Sequence, residues 1–395
     1  MTESHEARMA AVPHVLVIPK WWPNERDPQL GDFIRKQVQA LARFTEVTVL
    51  LVDASAAQER STRMLHADGL KVVRSTYPAS RSRIAGWRKL VNLMRYRQAA
   101  MAGWSMVCSE RRTPGIIHVH ILVRPALIAW WLLRRHHIPY VLSEQSSEYL
   151  DGTYERKGFL FHALNRRLFS QASCVTAVSK WLGDGLVELG LCTRYEVVPN
   201  VIPGLDRPLP GRGAAHHFLV VADLVDRTKN VSGVIRAVSL LRQRGVEVRL
   251  DVIGDGPDLG ALTELVGELE VKDRVSFLGR LPNSGVLDHM STVGAVIVNS
   301  NVETFSVVTG EALAQGKPVI ATRCGGPEAF VRAENGLLIP VGDTVALADA
   351  MALIMQDHQR YEPIRIREGL SSTFGPDAVG KAFLRIHQRS LGARR

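Results

Sequence analysis

The sequence predicts an α/β protein of two domains, each built on a largely parallel sheet. Three observations carry this. Residues 295–328 read as strand, polar loop, helix, strand and loop in succession, the repeating unit of a parallel sheet. At 395 residues the chain exceeds what one ordinary core accommodates. Residues 201–212 hold three prolines and two glycines, the composition of a hinge between domains.

In order, residues 1–12 read as a disordered lead. Val12 to Pro19 is a strand, and Trp21-Trp22-Pro23 opens a loop through Gly31-Asp32-Phe33 into an amphipathic helix from Ile34 to Phe44. There is no G-x-G-x-x-G, so this is not a dinucleotide fingerprint. Gly31 reads equally as a turn residue or as backbone that approaches a ligand. Val47–Val52 and Leu70–Ser75 are further strands. Residues 81–97 carry six basic residues and no acidic one, with Ile84, Trp87, Val91 and Met94 at helical spacing. Such a helix lies on an anionic membrane surface or packs on its own sheet with the basic groups reaching water.

Ile116 to His120 is a strand ending in H-x-H, Ala126 to Trp131 is helical, and Tyr140 to Ser143 is a strand closed by Glu144-Gln145-Ser146-Ser147. Polar clusters at successive strand ends face one cleft edge. His118 and His120 have no carboxylate or cysteine partner nearby, which argues against a metal. Cys174–Ser179 and Glu196–Val201 are the last strand segments of the first domain.

The second domain opens with a strand at 217–223, a loop at 224–230 and a helix at 231–244. Strands follow at 248–253, closed by Gly254-Asp255-Gly256-Pro257, and at 275–279. Next come the strand Ala295 to Val298 and the loop to Ser306, with Thr304 or Ser306 placed to cap a helix running to Ala314. Pro318 to Thr322 is a strand and Gly325-Gly326-Pro327 a turn. Residues 376–391 read as a closing helix.

Composition narrows the function. With 46% hydrophobic and 22% charged residues the chain is of soluble globular type. The longest apolar run, Ala126 to Leu133, meets Arg134-Arg135 well short of a membrane span. The amino terminus lacks a signal-peptide plan, and four scattered cysteines (Cys108, Cys174, Cys192, Cys324) suit a reducing cytoplasm. The net charge of +10 lies in the first half: residues 1–205 carry 27 Lys and Arg against 17 Asp and Glu, whereas residues 206–395 carry 22 of each. The first domain is therefore expected to meet something anionic. No nucleic-acid-binding motif is present, so an anionic membrane surface or a phosphorylated acceptor fits better.

The chemistry concentrates on Glu303 and Glu311, eight residues apart. Eight helical steps of 100° leave about 80° of rotation, so both are expected near one side. The amides of Phe305, Ser306 and Val307 at the helix start make an anion site suited to phosphate. With Glu311 on a ribose and Glu303 on a second polyol, the ligand described is a sugar nucleotide.

These residues carry a family resemblance. Glu303, Phe305, Ser306, Glu311-Ala312, Gly316-Lys317-Pro318-Val319 and Gly325-Gly326-Pro327-Glu328 resemble the E-x7-E block of retaining glycosyltransferase family four. The resemblance implies the GT-B architecture, two Rossmann-like domains facing across a cleft. It assigns 1–205 as the acceptor domain, 206–375 as the nucleotide-sugar domain and 376–395 as a helix crossing back to the first. It implies transfer of a sugar, with retention, from a nucleotide-diphosphate sugar to a glycan or lipid-linked acceptor in cell-envelope polysaccharide or lipopolysaccharide synthesis. Lys229 matches the lysine on the donor diphosphate. The arginine six positions earlier in the family is Asp223 here, with Arg227 the nearest substitute. Gly254 and Gly279 close strands on the donor side, Gly279 along the nucleobase. His120 lies by the transferred sugar, Gly31 approaches donor and acceptor, and Glu144-Gln145 stands where many relatives have Glu-His.

No D-x-D occurs, so neither a metal nor any cofactor beyond the donor is expected. Lys229, Arg227 and the helix-start amides would meet the leaving diphosphate, and Glu303 would hold sugar hydroxyls instead of attacking. The expected setting is cytoplasmic, peripheral on the inner face of the plasma membrane through residues 81–97. Two rivals remain: a nucleotide-sugar epimerase on the same fold, and a non-catalytic sugar-nucleotide-binding protein.

Overall fold

The computed structural model describes residues 13–25, 27–55, 59–109 and 113–392. The lead at 1–12 lies outside them. The chain divides into two compact units, the first closing at Val201 and regaining the chain from Pro376, the second spanning Ile202–Gly375.

In the first unit β1 (Val15–Pro19) leads to α1 (Asp32–Ala42), then β2 (Val47–Ser55), β3 (Ser61–Ala67), β4 (Leu70–Pro78), α2 (Ala85–Cys108), β5 (Ile116–His120), α3 (Arg124–His136), β6 (Tyr140–Glu144), α4 (Phe159–Gln171), β7 (Cys174–Ala177), α5 (Lys180–Glu188) and β8 (Glu196–Val197). The eight strands run in the order β3-β4-β2-β1-β5-β6-β7-β8. All pair in parallel except β3 with β4. Strand order reverses between β1 and β5, so loops after these strands diverge and leave a crevice at their carboxyl ends. Fully buried runs such as Val15-Leu16-Val17 and Ile116-Ile117 are what a sheet covered on both faces requires.

The sequence reading missed β3. It is an antiparallel edge strand whose outer residues are exposed, so it lacks the apolar run that marks the buried strands. Helix α1 starts two residues earlier than expected, at Asp32, whose carboxylate pairs with Arg35 and Lys36 in the first turn.

The second unit holds β9 (Ala214–Val221), α6 (Asp226–Lys229), α7 (Val231–Gln243), β10 (Arg249–Ile253), α8 (Leu259–Glu268), β11 (Val275–Gly279), α9 (Asn283–Met290), β12 (Val293–Val298), α10 (Val307–Ala314), β13 (Val319–Thr322), β14 (Gly336–Ile339), α11 (Thr344–Gln356), α12 (Pro363–Arg367) and α13 (Leu370–Phe374). Its sheet, β11-β10-β9-β12-β13-β14, is parallel throughout and reverses between β9 and β12. The expected loop 224–230 contains the one-turn helix α6.

Helix α14 (Pro376–Gly392) belongs to the first unit. Val379, Phe383 and Ile386 enter the core formed by β1, β2 and α1, and Arg43 pairs with Asp377 at 2.6 Å. No helix among the described residues is long and apolar enough to cross a membrane.

Candidate functional site

In the second unit, the loops after β9 and β12 meet at the reversal point. Asn301 binds the carbonyl oxygens of Thr228 and Arg227 through its backbone and side-chain nitrogens, both at 2.8 Å. The Asn299 amide donates to Asn230 O at 2.9 Å. This lacing brings Lys229, on the last residue of α6, onto Glu303, which lies 74 positions later in the chain. Lys229 Nζ donates to Glu303 Oε1 at 2.5 Å, and Ser300 Oγ donates to the same oxygen at 2.7 Å. Burial works against the Lys229 charge, but Glu303, joined by Asp223, raises the ammonium pKa on balance. A charged pair is thus held partly open to solvent at the strand ends.

Glu303 and Glu311 reach the site by different routes from the one expected. Glu303 is in no helix: its backbone bridges Gly325, receives a bond from Gly326 N at 2.8 Å and donates to Cys324 O at 3.1 Å. Helix α10 begins only at Val307, so helical rotation does not relate the two glutamates. Glu311, buried in α10, accepts from Asn283 Nδ2 of α9 at 2.7 Å. Ser306 holds the N-cap position in a left-handed conformation, but its hydroxyl pairs with Thr309 Oγ1 at 2.8 Å and caps no amide. The Phe305 ring is buried against Phe330 and Phe374, so this residue anchors the loop and only its backbone remains for a ligand.

Arg227 and Arg280 are both exposed, and Arg280 Nη2 lies 3.2 Å from Asp223 Oδ1. The cation beside Asp223 is therefore Arg280, which the sequence reading missed along with Asn283 and Ser300. Arg280 follows directly on Gly279, the end of β11, and strand-end position was the signal available. Gly254 and Gly279 close neighbouring strands and are joined by a 2.9 Å backbone bond.

The first unit places its candidates at the β1–β5 reversal. Gly31 precedes α1 with φ +68, and a Cβ there would sit 2.6 Å from the Trp21 carbonyl, so no side chain fits. His120 ends β5, stacked on His118 with ring centroids 4.1 Å apart. Burial pushes the His120 pKa down to about 3, with His387 of α14 adding to the effect, so the ring stays neutral. Gln145 Nε2 donates to Gln37 Oε1 at 2.8 Å and lies 3.4 Å from His120 Nδ1; Gln37 in turn donates to Pro199 O. Glu144 is fully buried. It accepts the Leu122 amide at 2.8 Å and the Tyr149 hydroxyl at 3.2 Å. Leu122 is flanked by Ile121 and Val123, β-branched residues at φ 64 and 68, so Glu144 pins a strained turn beside His120. Burial raises the Glu144 pKa to about 7 against the pull of those hydrogen bonds.

Two model families match: "Glycosyl transferase 4-like domain" over residues 30–201 and "Glycosyl transferases group 1" over 213–367. The chain belongs to the group 1 glycosyl transferases of the family-four type. It is 32% identical over 164 residues to N-acetyl-alpha-D-glucosaminyl L-malate synthase of Bacillus anthracis, covering 41% of this chain and 42% of that protein. It is 31% identical over 215 residues to a lipopolysaccharide core biosynthesis glycosyltransferase of Rhizobium meliloti, covering 52% and 61%. The aligned stretches thus span less than two thirds of these relatives. Sucrose-phosphate synthase from Thermosynechococcus elongatus superposes with TM-score 0.75 at 18% identity over 96% of this chain and all of that one. Anabaena HepE, in complex with UDP, does so with TM-score 0.72 at 16% identity over 95% and 100%. These two likenesses establish the fold: two Rossmann-like units of the GT-B type.

Among the described residues one group, His217, Asp251 and His289, offers three ligand atoms within 4.8 Å of one another. Both imidazole Nε2 atoms lie 2.7 Å from the same Asp251 oxygen, a hydrogen-bonded brace that ties His289 of α9 to His217 of β9 and Asp251 of β10, within the strands and not beyond their ends.

Proposed function

We propose that the chain is a retaining glycosyltransferase that moves a hexose-type unit from a nucleotide-diphosphate sugar to a glycan or lipid-linked acceptor, without a metal. The observation that carries this reading is the Lys229–Glu303 pair with Ser300 at the reversal point of a parallel sheet. A cation held at a strand-end crevice suits a diphosphate, and the adjacent carboxylate suits sugar hydroxyls. Lys229, Arg280 and the first amides of α10 would stabilise charge on the leaving diphosphate, while Arg227 takes a lesser part. Glu311 would receive the ribose, and Gly254 and Gly279 would give their backbone to the nucleotide. Attack by the acceptor on the donor's front face within the ion pair accounts for retention without a carboxylate nucleophile.

On the acceptor side, Gly31 would let backbone approach the ligand, and neutral His120 would take the place beside the transferred sugar that the resemblance gives it. Glu144 and Gln145 hold the surrounding turn in shape. UDP in Anabaena HepE and the lipopolysaccharide role of the Rhizobium relative support this direction. The setting would be the inner face of the plasma membrane, with residues 81–97 against anionic lipid.

Calorimetry with UDP-, GDP- and ADP-sugars, with and without magnesium, tests this reading. One nucleotide sugar should bind in the micromolar range without metal, and acceptor glycosylation should retain the anomeric configuration. Release of an epimer with no acceptor present would instead make the protein an epimerase. Binding of none of the three would favour a non-catalytic protein with Asp223 as the disabling change.

A further inference from the structure

The start of α2 stands clear of the unit. From 83 to 90 every residue is exposed, Ile84 at 71% and Trp87 at 57%, and burial begins only at Tyr96. With 100° per residue, the stripe Ile84, Trp87, Leu90 and Met94 points roughly 150° away from the face that Ala99, Gly103 and Val107 turn to the sheet. The apolar stripe is therefore not core. Arg88 and Arg97 flank it.

Helix α4 repeats the pattern. Phe159 and Leu160 at its start are 80% and 82% exposed, while Asn165, Leu168 and Phe169 face inward, roughly 175° away. Residues 156–167 carry four basic side chains and no acidic one, with Glu155 bordering them.

Both helix starts follow parallel strands, β4 and β6, and so sit at the carboxyl edge of one sheet. They share a helix layer: Trp104 of α2 lies against His136 of α3, and α3 packs on α4. That edge is also where His120 and Gly31 lie.

We infer that the first unit docks on an anionic lipid bilayer at two points, through residues 84–94 of α2 and 159–167 of α4. This extends the membrane reading given for 81–97 with a second foot, and rests on it. Trp and Phe suit the headgroup boundary, and the surrounding Lys and Arg supply attraction to anionic lipid. Cationic flanks select lipid over a second copy of this chain, because two such edges would repel. A bilayer at this edge would present a lipid-linked acceptor to the strand ends.

Flotation of the full chain with vesicles of phosphatidylcholine, alone or mixed with phosphatidylglycerol, tests the inference. Binding should need phosphatidylglycerol and weaken with salt. Trp87→Asp and Leu160→Asp should each lower vesicle binding about tenfold, with the double variant lower still. Unchanged thermal unfolding and nucleotide-sugar affinity would show both variants folded. If only Trp87→Asp has an effect, the second foot is wrong and the reading for 81–97 survives. If the wild type ignores anionic vesicles, or forms a dimer that Trp87→Asp dissociates, docking on lipid is overturned. The donor-binding result stands or falls separately.

Discussion

The two strand-end clusters sit at equivalent points of their sheets and are built in opposite ways. In the first unit His120, Glu144 and Gln145 are buried and hydrogen-bonded, with burial pushing the histidine and the glutamate toward their uncharged forms. In the second unit Lys229 and Glu303 form an ion pair whose side chains are 27% and 15% exposed, with Arg280 and Asp223 beyond it. A dry neutral wall suits a polyol and excludes water, whereas an open charged pair suits an anion. On the proposed function, one architecture would serve two ligand chemistries through what the strand-end loops carry.

Three measurements would break or sharpen this contrast. Lys229→Ala should have the largest effect, about a hundredfold loss of nucleotide-sugar affinity, since a charge-assisted contact is lost and Glu303 is left unpaired. If affinity by calorimetry falls no more than for a first-unit variant such as His120→Ala, the charged cluster is not the donor site. Next, Arg280→Ala should weaken donor binding about tenfold, as a partly exposed cation would, and Arg227→Ala less than about threefold. The reverse ranking would return the cationic role to Arg227.

The last measurement concerns Glu144 and reads stability against pH instead of affinity. Its folded pKa, about 7, lies above the ordinary value of 4.5, so the folded state holds the proton longer than the unfolded one. Its contribution is complete below pH 4.5 and is lost as pH rises through 7, by at most roughly 3 kcal/mol. Chemical unfolding of wild type and Glu144→Gln between pH 4.5 and 8 should show the variant with the flatter profile. Identical slopes would mean that Glu144 is ionised throughout, and the dry-wall description would fail.

Sequence alone determined a good deal. Continuous Val/Ile/Leu runs announced the buried parallel strands, because a strand covered on both faces has no polar side. Proline and glycine at 201–212 pointed to a boundary where the first compact unit closes at Val201, and the block from Glu303 to Glu328 carried the family resemblance. It could also have yielded β3: the Asp68-Gly69 pair, at φ 55 and 76, is the hairpin turn that joins β3 to β4.

Only the tertiary structure decided the rest. Whether the stripe of α2 faces sheet or solvent depends on where the helix leaves its sheet, and periodicity is the same in both cases. Arg280 meets Asp223 across 57 residues and Lys229 meets Glu303 across 74. Such pairs are set by the order of strands in the sheet, a long-range property that no local spacing encodes.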